Sequence, residues 1–328
     1  MSAQPIMRGL DTPHSSYPRA VIIYNPFAGR LAGRDGVLRR SVDILAKQGT
    51  NATLVPTTGP NTAARIAKQY VDEGVDLILA AGGDGTINEV VNGAANTRVP
   101  VGILPGGTAN VLAHELGITR NVEQAAAAVS QLQACRIAVG LLSCGDYGRY
   151  FLSMAGVGLD AQIVYNLNLD LKAAVGKLAY YAAGMLQVFR PLPQFDVEVS
   201  GRRHRCGFVL ASRVRNYGGD LEIARGASLL SNDFEVLLFE GKSSMGYLRY
   251  LTGVAFGFVH RVPGCTVLRA NSLSCEVAAD PAVYSQIDGE LACRPPLRLE
   301  AVPDALTLLV PAAFLAREQS LRQVVACA

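Results

Sequence analysis

Three short stretches in the first third of the chain combine glycine with small hydroxyl or amide residues: Asn25-Pro26-Phe27-Ala28-Gly29, Gly82-Gly83-Asp84-Gly85-Thr86, and Pro105-Gly106-Gly107-Thr108-Ala109-Asn110. Glycine removes side chains that would hold a phosphate away from backbone N–H groups. Where such a turn opens a helix, the unpaired N–H groups and positive dipole end favour an anion. Thr86 and Thr108 add hydroxyl donors near helix starts. Asp84 is the informative residue, because a carboxylate among phosphate-binding amides repels the ligand unless a cation or a proton transfer engages it. Each turn alone is as readily an ordinary helix cap and tight connection. The three together, with an acid in the central one, point to a nucleotide site.

The elements around these turns are legible from apolar runs. Ala20–Tyr24, Ala52–Val55, Val75–Ala81 and Pro100–Leu104 read as strands, separated by helical patterns over Val37–Gln48, Thr62–Glu73, Ile87–Ala95 and Ala109–Leu116. Near-continuously apolar strands alternating with helices imply a parallel sheet covered on both faces. The carboxyl ends of such strands share one edge, so the three turns are expected to converge there. Beyond Cys135 the rhythm changes. Arg149–Ala155, Phe195–Ser200, Cys206–Ser212, Phe234–Phe239 and Cys265–Val277 read as strands between turns, with helical patterns at Leu171–Phe189 and Ser244–Phe256. The expected fold is therefore an α/β N-terminal domain with a parallel sheet, followed by a mainly antiparallel, β-rich C-terminal domain. The expected boundaries are a flexible segment 1–18, a nucleotide-binding domain 19–134 and a second domain 135–328, with the strand Leu306–Val310 and helix Ala313–Val325 returning to the first.

Composition narrows the function. The 328 residues carry a net charge of +3, too even for an electrostatic nucleic-acid binder. Charged residues make up 17%, against roughly 25% in ordinary soluble domains. Half the residues are apolar, which suggests apolar surface for lipid or a partner. No apolar run reaches the ~18 residues of a membrane-spanning helix, and residues 1–18 show no signal-peptide core. Seven scattered cysteines without a C-x-x-C pair, and four histidines without ligand spacing, exclude disulfide and zinc frameworks. A cytoplasmic protein is expected. Whether it forms a homo-oligomer is open at this stage. The P-loop, dinucleotide, protein-kinase and G-x-S-x-G signatures are absent.

Gly82-Gly83-Asp84-Gly85-Thr86-Ile87-Asn88-Glu89-Val90-Val91-Asn92-Gly93 closely resembles the G-G-D-G-T-x-N-E-V-x-N-G signature of the diacylglycerol kinase catalytic-domain family, which includes bacterial lipid kinases and sphingosine and ceramide kinases. The turn at Asn25–Gly29 resembles its N-P-x-[SA]-G, and Leu104–Asn110 its P-x-G-T-x-N. Later, Gly156-Val157-Gly158-Leu159-Asp160-Ala161, Asn216-Tyr217-Gly218-Gly219 and Ile287-Asp288-Gly289-Glu290 are similar to further family motifs in the family's order.

The resemblance implies ATP-dependent phosphorylation of a hydroxyl on a membrane lipid of diacylglycerol, sphingoid or ceramide type. It implies a nucleotide in the cleft between two domains, Mg²⁺, and an enzyme working peripherally at the bilayer surface. Asn25, Gly29, Thr58, Gly82, Gly83, Asp84, Gly85, Thr86, Ile87, Asn88 and Thr108 would contact ATP. Asp84 would hold Mg²⁺ and is a rival candidate for base. Asp288 and Glu290 would supply the general base, and Asp160 would contact the lipid's polar head. Asp233 corresponds to a second metal position. Two departures stand out: Val111 follows Asn110 where the family often has aspartate, and Ser231-Asn232-Asp233-Phe234-Glu235 lacks the glycine of the metal loop. Without the resemblance, Asp288-Gly289 reads as a β-turn, Asp160 as a helix cap, and Arg202-Arg203-His204-Arg205 as either a solvated hairpin tip or a contact for anionic headgroups. Two other functions remain open: a kinase for a soluble acceptor such as a nicotinamide nucleotide, and a non-catalytic nucleotide-binding regulator.

Overall fold

The structure, a computed structural model, describes residues 17–158, 161, 193–217, 221–241, 249–250, 252–253, 258–276 and 283–326. They form two compact units. One comprises the described residues up to Gly107, Leu116–Ile137 and those from Asp304 onward; the other comprises Thr108–Glu115 and the described part of Ala138–Pro303.

The first unit is built on β1 (Ala20–Tyr24), β2 (Ala52–Pro56), β3 (Leu77–Gly82) and β4 (Pro100–Pro105), in the order β2-β1-β3-β4, all parallel. A late strand extends this sheet, with Thr307 and Leu308 pairing in parallel with Pro100 and Val101. Side chains alternate across a strand, and both faces here are apolar. One face (Ile22, Leu77, Leu79, Ala81, Leu104, Leu309) packs against Leu38 and Leu45 of helix α1 (Asp35–Lys47) and Val122, Ala125 and Ala126 of a later helix, Val122–Ala128. Helices α2 (Thr62–Asp72) and α3 (Asp84–Ala94) pack together and against β1 and β3, burying Ala63, Ala67, Val90, Val91 and Ala94. Gly93 is required there: a Cβ would press on the Ala64 carbonyl and lie 2.7 Å from the Ala67 Cβ. The closing glycine of the central motif thus sets the spacing of two helices.

In the second unit, β5 (Gln133–Cys144, entered from the first unit) and β6 (Tyr147–Phe151) pair antiparallel. The strands β7 (Met154–Gly158), β8 (Phe195–Val199), β9 (Arg202–Cys206), β10 (Phe208–Ser212), β11 (Asn216–Tyr217), β12 (Leu221–Glu222), β13 (Phe234–Phe239), β14 (Cys265–Ala270), β15 (Ser272–Glu276), β16 (Ser285–Ile287), β17 (Glu290–Leu291) and β18 (Leu297–Val310) follow. One antiparallel sheet runs β14-β13-β10-β7-β16-β17. The N-terminal part of β18, β15, β8 and β9 form another. A single core joins the two sheets, with Val157, Val209, Phe234 and Val236 of one, Phe195, Val197, Leu273, Leu297 and Leu299 of the other, and Phe151 of β6. This is a sandwich.

Two expected strands are divided. Arg149–Ala155 is broken at Leu152-Ser153 into β6 and β7, because the N–H groups there donate to the Asp288 carboxylate instead of a neighbouring strand. Cys265–Val277 is broken at Asn271, whose carbonyl accepts from Ala301 N–H as the chain passes from one sheet to the other. The run Arg202–Arg205 lies on strand β9, which pairs with β8 directly after the turn at Ser200-Gly201. Arg203 and Arg205 both bind Asp196, Arg203 also reaches Glu276, and His204 Nδ1 bonds Glu240, so most of its charge is matched locally. Residues 162–192, with the helical pattern Leu171–Phe189, and most of Ser244–Phe256 lie outside the described residues.

Candidate active site

In the first unit the three glycine turns are joined by backbone hydrogen bonds at the carboxyl edge of the sheet. The Gly82 carbonyl accepts from Gly106 N–H (2.8 Å) and Gly107 N–H (3.0 Å), while Arg30 N–H donates to the Gly106 carbonyl (2.9 Å) and Asn25 N–H to the Ala81 carbonyl (3.1 Å). Closeness requires glycine at Gly106, where a Cβ would lie 2.5 Å from Leu31 Cδ1 and 3.2 Å from the Gly82 Cα. Asn25, Gly29 and Gly82–Asn88 are therefore brought together.

Asn25 Oδ1 accepts the Phe27 N–H at 2.9 Å and folds the first turn on itself. This leaves the amide's NH₂ as the group suited to a phosphate oxygen. Helix α3 starts at Asp84, with Gly83 as its N-cap and no side chain capping it. Its first-turn N–H groups belong to the class of orphan donors that bind anions. Ile87 and Asn88 are buried at 1% exposure and serve the helix's packing rather than an open surface. Thr58 N–H donates to Thr62 Oγ1 (3.2 Å) at the start of α2.

Glu89 has a purpose that sequence reasoning missed. Its two carboxylate oxygens accept from Asn61 N–H (2.8 Å) and Ala63 N–H (2.9 Å), capping α2. The motif's glutamate holds the neighbouring helix; no local sequence signal marks it.

The second unit contains Thr108, the late acids and Asp233. Thr108 is exposed, just before a short helix, Val111–Leu116, introduced by Asn110 at φ 50°. Glu115 on that helix is buried at 2% exposure and accepts from Arg215 N–H (3.1 Å) and Asn216 Nδ2 (3.3 Å), fixing the start of the Asn216 loop. Gly218 and Gly219 of that loop, and Asp160, lie outside the described residues.

Asp288 and Glu290 sit in the same hairpin but in different environments. Asp288, at φ 48°, turns its carboxylate onto three successive backbone donors: Oδ1 accepts from Ser153 (2.8 Å) and Met154 (3.1 Å), and Oδ2 from Leu152 (2.9 Å). Its lone pairs are committed to fixing the β6–β7 break. Glu290 is 42% exposed in its side chain and binds Arg149 Nη2 through Oε2 at 2.6 Å. Burial works to lower the Arg149 pKa, but the hydrogen bond and charge of Glu290 outweigh it and hold the guanidinium above its ordinary range. Glu290 is thus an aimed, solvent-reachable carboxylate. Arg149 was not anticipated, because its partner lies 141 residues away.

Asp233 does not fit a metal. Both carboxylate oxygens bind Arg269, through Nε (2.9 Å) and Nη2, and no cluster of three or more His, Cys, Asp or Glu residues among the described residues could hold an ion. Asp84 fits a different kind of metal site: Mg²⁺ is commonly held by one or two carboxylates plus the phosphates of its substrate, so a single acid in a phosphate-binding turn is compatible.

Comparison with known proteins gives consistent matches. Residues 19–142 match the family described as the diacylglycerol kinase catalytic domain, and residues 153–310 match a C-terminal domain described as YegS C-terminal NAD kinase beta sandwich-like. A diacylglycerol kinase of Bacillus subtilis (strain 168) is 34% identical over 241 residues, covering 71% of this chain and 78% of that protein. A diacylglycerol kinase of Staphylococcus saprophyticus is 28% identical over 287 residues, covering 83% and 88%. The crystal structure of a diacylglycerol kinase from Bacillus anthracis str. Sterne has the same fold, with a TM-score of 0.73 at 21% identity over 91% of this chain and 99% of that one.

Proposed function

This chain belongs to the diacylglycerol kinase family, and from that premise we propose that it transfers the γ-phosphate of ATP to the free hydroxyl of a membrane lipid of the diacylglycerol type. The observation that carries the reading is the knot of glycine turns around the Gly82 carbonyl, which lines backbone N–H groups and the start of α3 along one sheet edge with Asp84 among them. In this reading Asn25, Gly29, Thr58, Gly82–Asn88 and Thr108 form the nucleotide site. Asp84 would hold Mg²⁺, which would supply neutralisation of phosphate charge. Ile87 and Asn88 contribute by setting the helix start.

Glu290 is the general base. As the lipid oxygen bonds to the γ-phosphorus, its proton passes to the Glu290 carboxylate, the bond from phosphorus to the β,γ-bridging oxygen breaks, and ADP leaves. A positioned carboxylate of this kind typically contributes about 10²–10⁴-fold. Arg149 orients it. Asp288 is a positioning residue, holding the hairpin that carries Glu290 through its three amide bonds. Asp160 remains our candidate for the lipid's polar head.

The acceptor is at a bilayer, so we infer a cytoplasmic enzyme attached peripherally. Among the described residues no helix is long and apolar enough to cross a membrane. The match of residues 153–310 to a domain described as NAD kinase-like favours one second reading, a soluble nucleotide acceptor. Incubation with γ-labelled ATP and parallel acceptors (diacylglycerol, ceramide, sphingosine and NAD) decides. Label in phosphatidic acid is expected; label in NADP alone would overturn the lipid reading.

A further inference from the structure

The loop that leads into β13 is organised around two arginines. Arg213, directly after β10, is the largest fully buried side chain among the described residues. Its guanidinium donates to three backbone carbonyls of one turn: Nη2 to Leu229 (2.9 Å) and Ser231 (3.1 Å), and Nη1 to Asp233 (3.3 Å). Arg269 closes the other side, gripping both Asp233 oxygens and the Gly226 carbonyl.

Carbonyls of alternate residues wrapped about one point, with a carboxylate beside them, are the donor set that a hard divalent cation takes. Here a cation is already supplied by the chain. Burial lowers the Arg213 pKa to about 10, and the nearby Asp233 resists this, so the group stays charged at neutral pH. Asp233 is paired with Arg269, and burial raises the Glu235 pKa, opposed in part by the Arg269 charge. An added divalent ion would meet two positive charges, and Asp233 oxygens and loop carbonyls already bound to them.

We propose that Arg213, with Arg269 as its partner, is a built-in replacement for a divalent cation, so that this loop holds its shape with no bound metal. Guanidinium is suited to the substitution because it offers five donors in a fixed plane and keeps its charge when buried. The departure of Ser231–Glu235 from the glycine-containing metal loop then has a physical counterpart: the residues that would ligate are turned to arginine. The shape of this loop does not depend on the identity of the phosphate acceptor.

The test is thermal unfolding of the full chain without nucleotide, in EDTA and in millimolar MgCl₂ or CaCl₂, for the natural protein and for Arg213→Ala and Asp233→Asn. The natural protein is expected to unfold at the same midpoint in all conditions. Arg213→Ala, which bares three carbonyls beside a carboxylate, is expected to fall in midpoint in EDTA and to recover several degrees with the divalent ion. A cation-dependent rise in the natural protein that Asp233→Asn abolishes would overturn the proposal. So would a folded Arg213→Ala that ignores the ion. Should Arg213→Ala prove insoluble with and without metal, Arg213→Gln is measured in the same way, and the natural-protein arm still decides.

Discussion

Asp288 and Glu290 lie two residues apart and should fail in opposite ways when neutralised. Leu152, Ser153 and Met154 are 1%, 5% and 6% exposed, so the N–H groups that bind Asp288 have little access to water as a substitute. Hydrogen bonds to a charged group are worth about 1.5–3 kcal/mol each. In Asp288→Asn the amide oxygen can stand where Oδ1 accepts from Ser153 and Met154, but the NH₂ then opposes the Leu152 N–H, a loss of roughly 2–3 kcal/mol. Asp288→Ala gives up all three and also places a residue other than Asp, Asn or Gly at φ 48°. Left-handed backbone there adds about 1–2 kcal/mol, for a total on the order of 4–6 kcal/mol after allowing for non-additivity.

Glu290→Gln differs. An ion pair with a partly exposed carboxylate is worth about 0–1 kcal/mol, so stability should barely move while turnover falls about 10²–10⁴-fold. Urea unfolding and phosphotransfer rates, measured on the same preparations, separate the two. Should Asp288→Asn unfold with the natural protein yet be inactive while Glu290→Gln turns over normally, Asp288 and not Glu290 would be the base.

Glu89→Ala should lower stability by about 1–2 kcal/mol, the usual cost of a lost helix cap, visible as loss of α2 protection in hydrogen exchange, with residual activity at saturating ATP. Asp196 links stability to pH. Its hydrogen bond to Arg205, aided by Arg203, holds its carboxyl below the ordinary range, so it stabilises the fold above about pH 4. That contribution is lost as pH falls through the lowered value; Asp196→Asn should flatten this acid limb of the urea-unfolding profile and leave the neutral region little changed.

What could be read from the sequence follows the range over which each feature is determined. Parallel strands buried on both faces appear as unbroken apolar runs, so Val21–Ile23, Leu77–Ala81 and Val101–Leu104 announce themselves, and the glycines after them mark the sheet edge where the candidate site lies. The sandwich is harder. Its strands at Arg149–Ala155 and Cys265–Val277 look continuous because their residues favour extended backbone throughout. The breaks at Ser153 and Asn271 are imposed by Asp288 and Ala301, 135 and 30 residues away in sequence. The same range explains the missed roles. Glu89 caps a helix 26 residues upstream, Arg149 finds Glu290 across two hairpins, and Arg213 meets the Leu229–Asp233 carbonyls only once β10 and β13 pair. A motif shows which residues matter; whether a carboxylate faces a ligand, an amide or a guanidinium is set by the tertiary fold.

Transfer of the γ-phosphate of ATP from the glycine-lined turn at Asp84 to a lipid hydroxyl is the step on which the proposed function rests. It is tested most directly by following label from γ-labelled ATP into phosphatidic acid in diacylglycerol-containing vesicles, for the natural protein and for Asp84→Asn of equal thermal stability. Label transferred by the natural protein and lost by at least about 10²-fold in the variant is the predicted result. Equal incorporation by both proteins, or none by either across every lipid supplied, would contradict it.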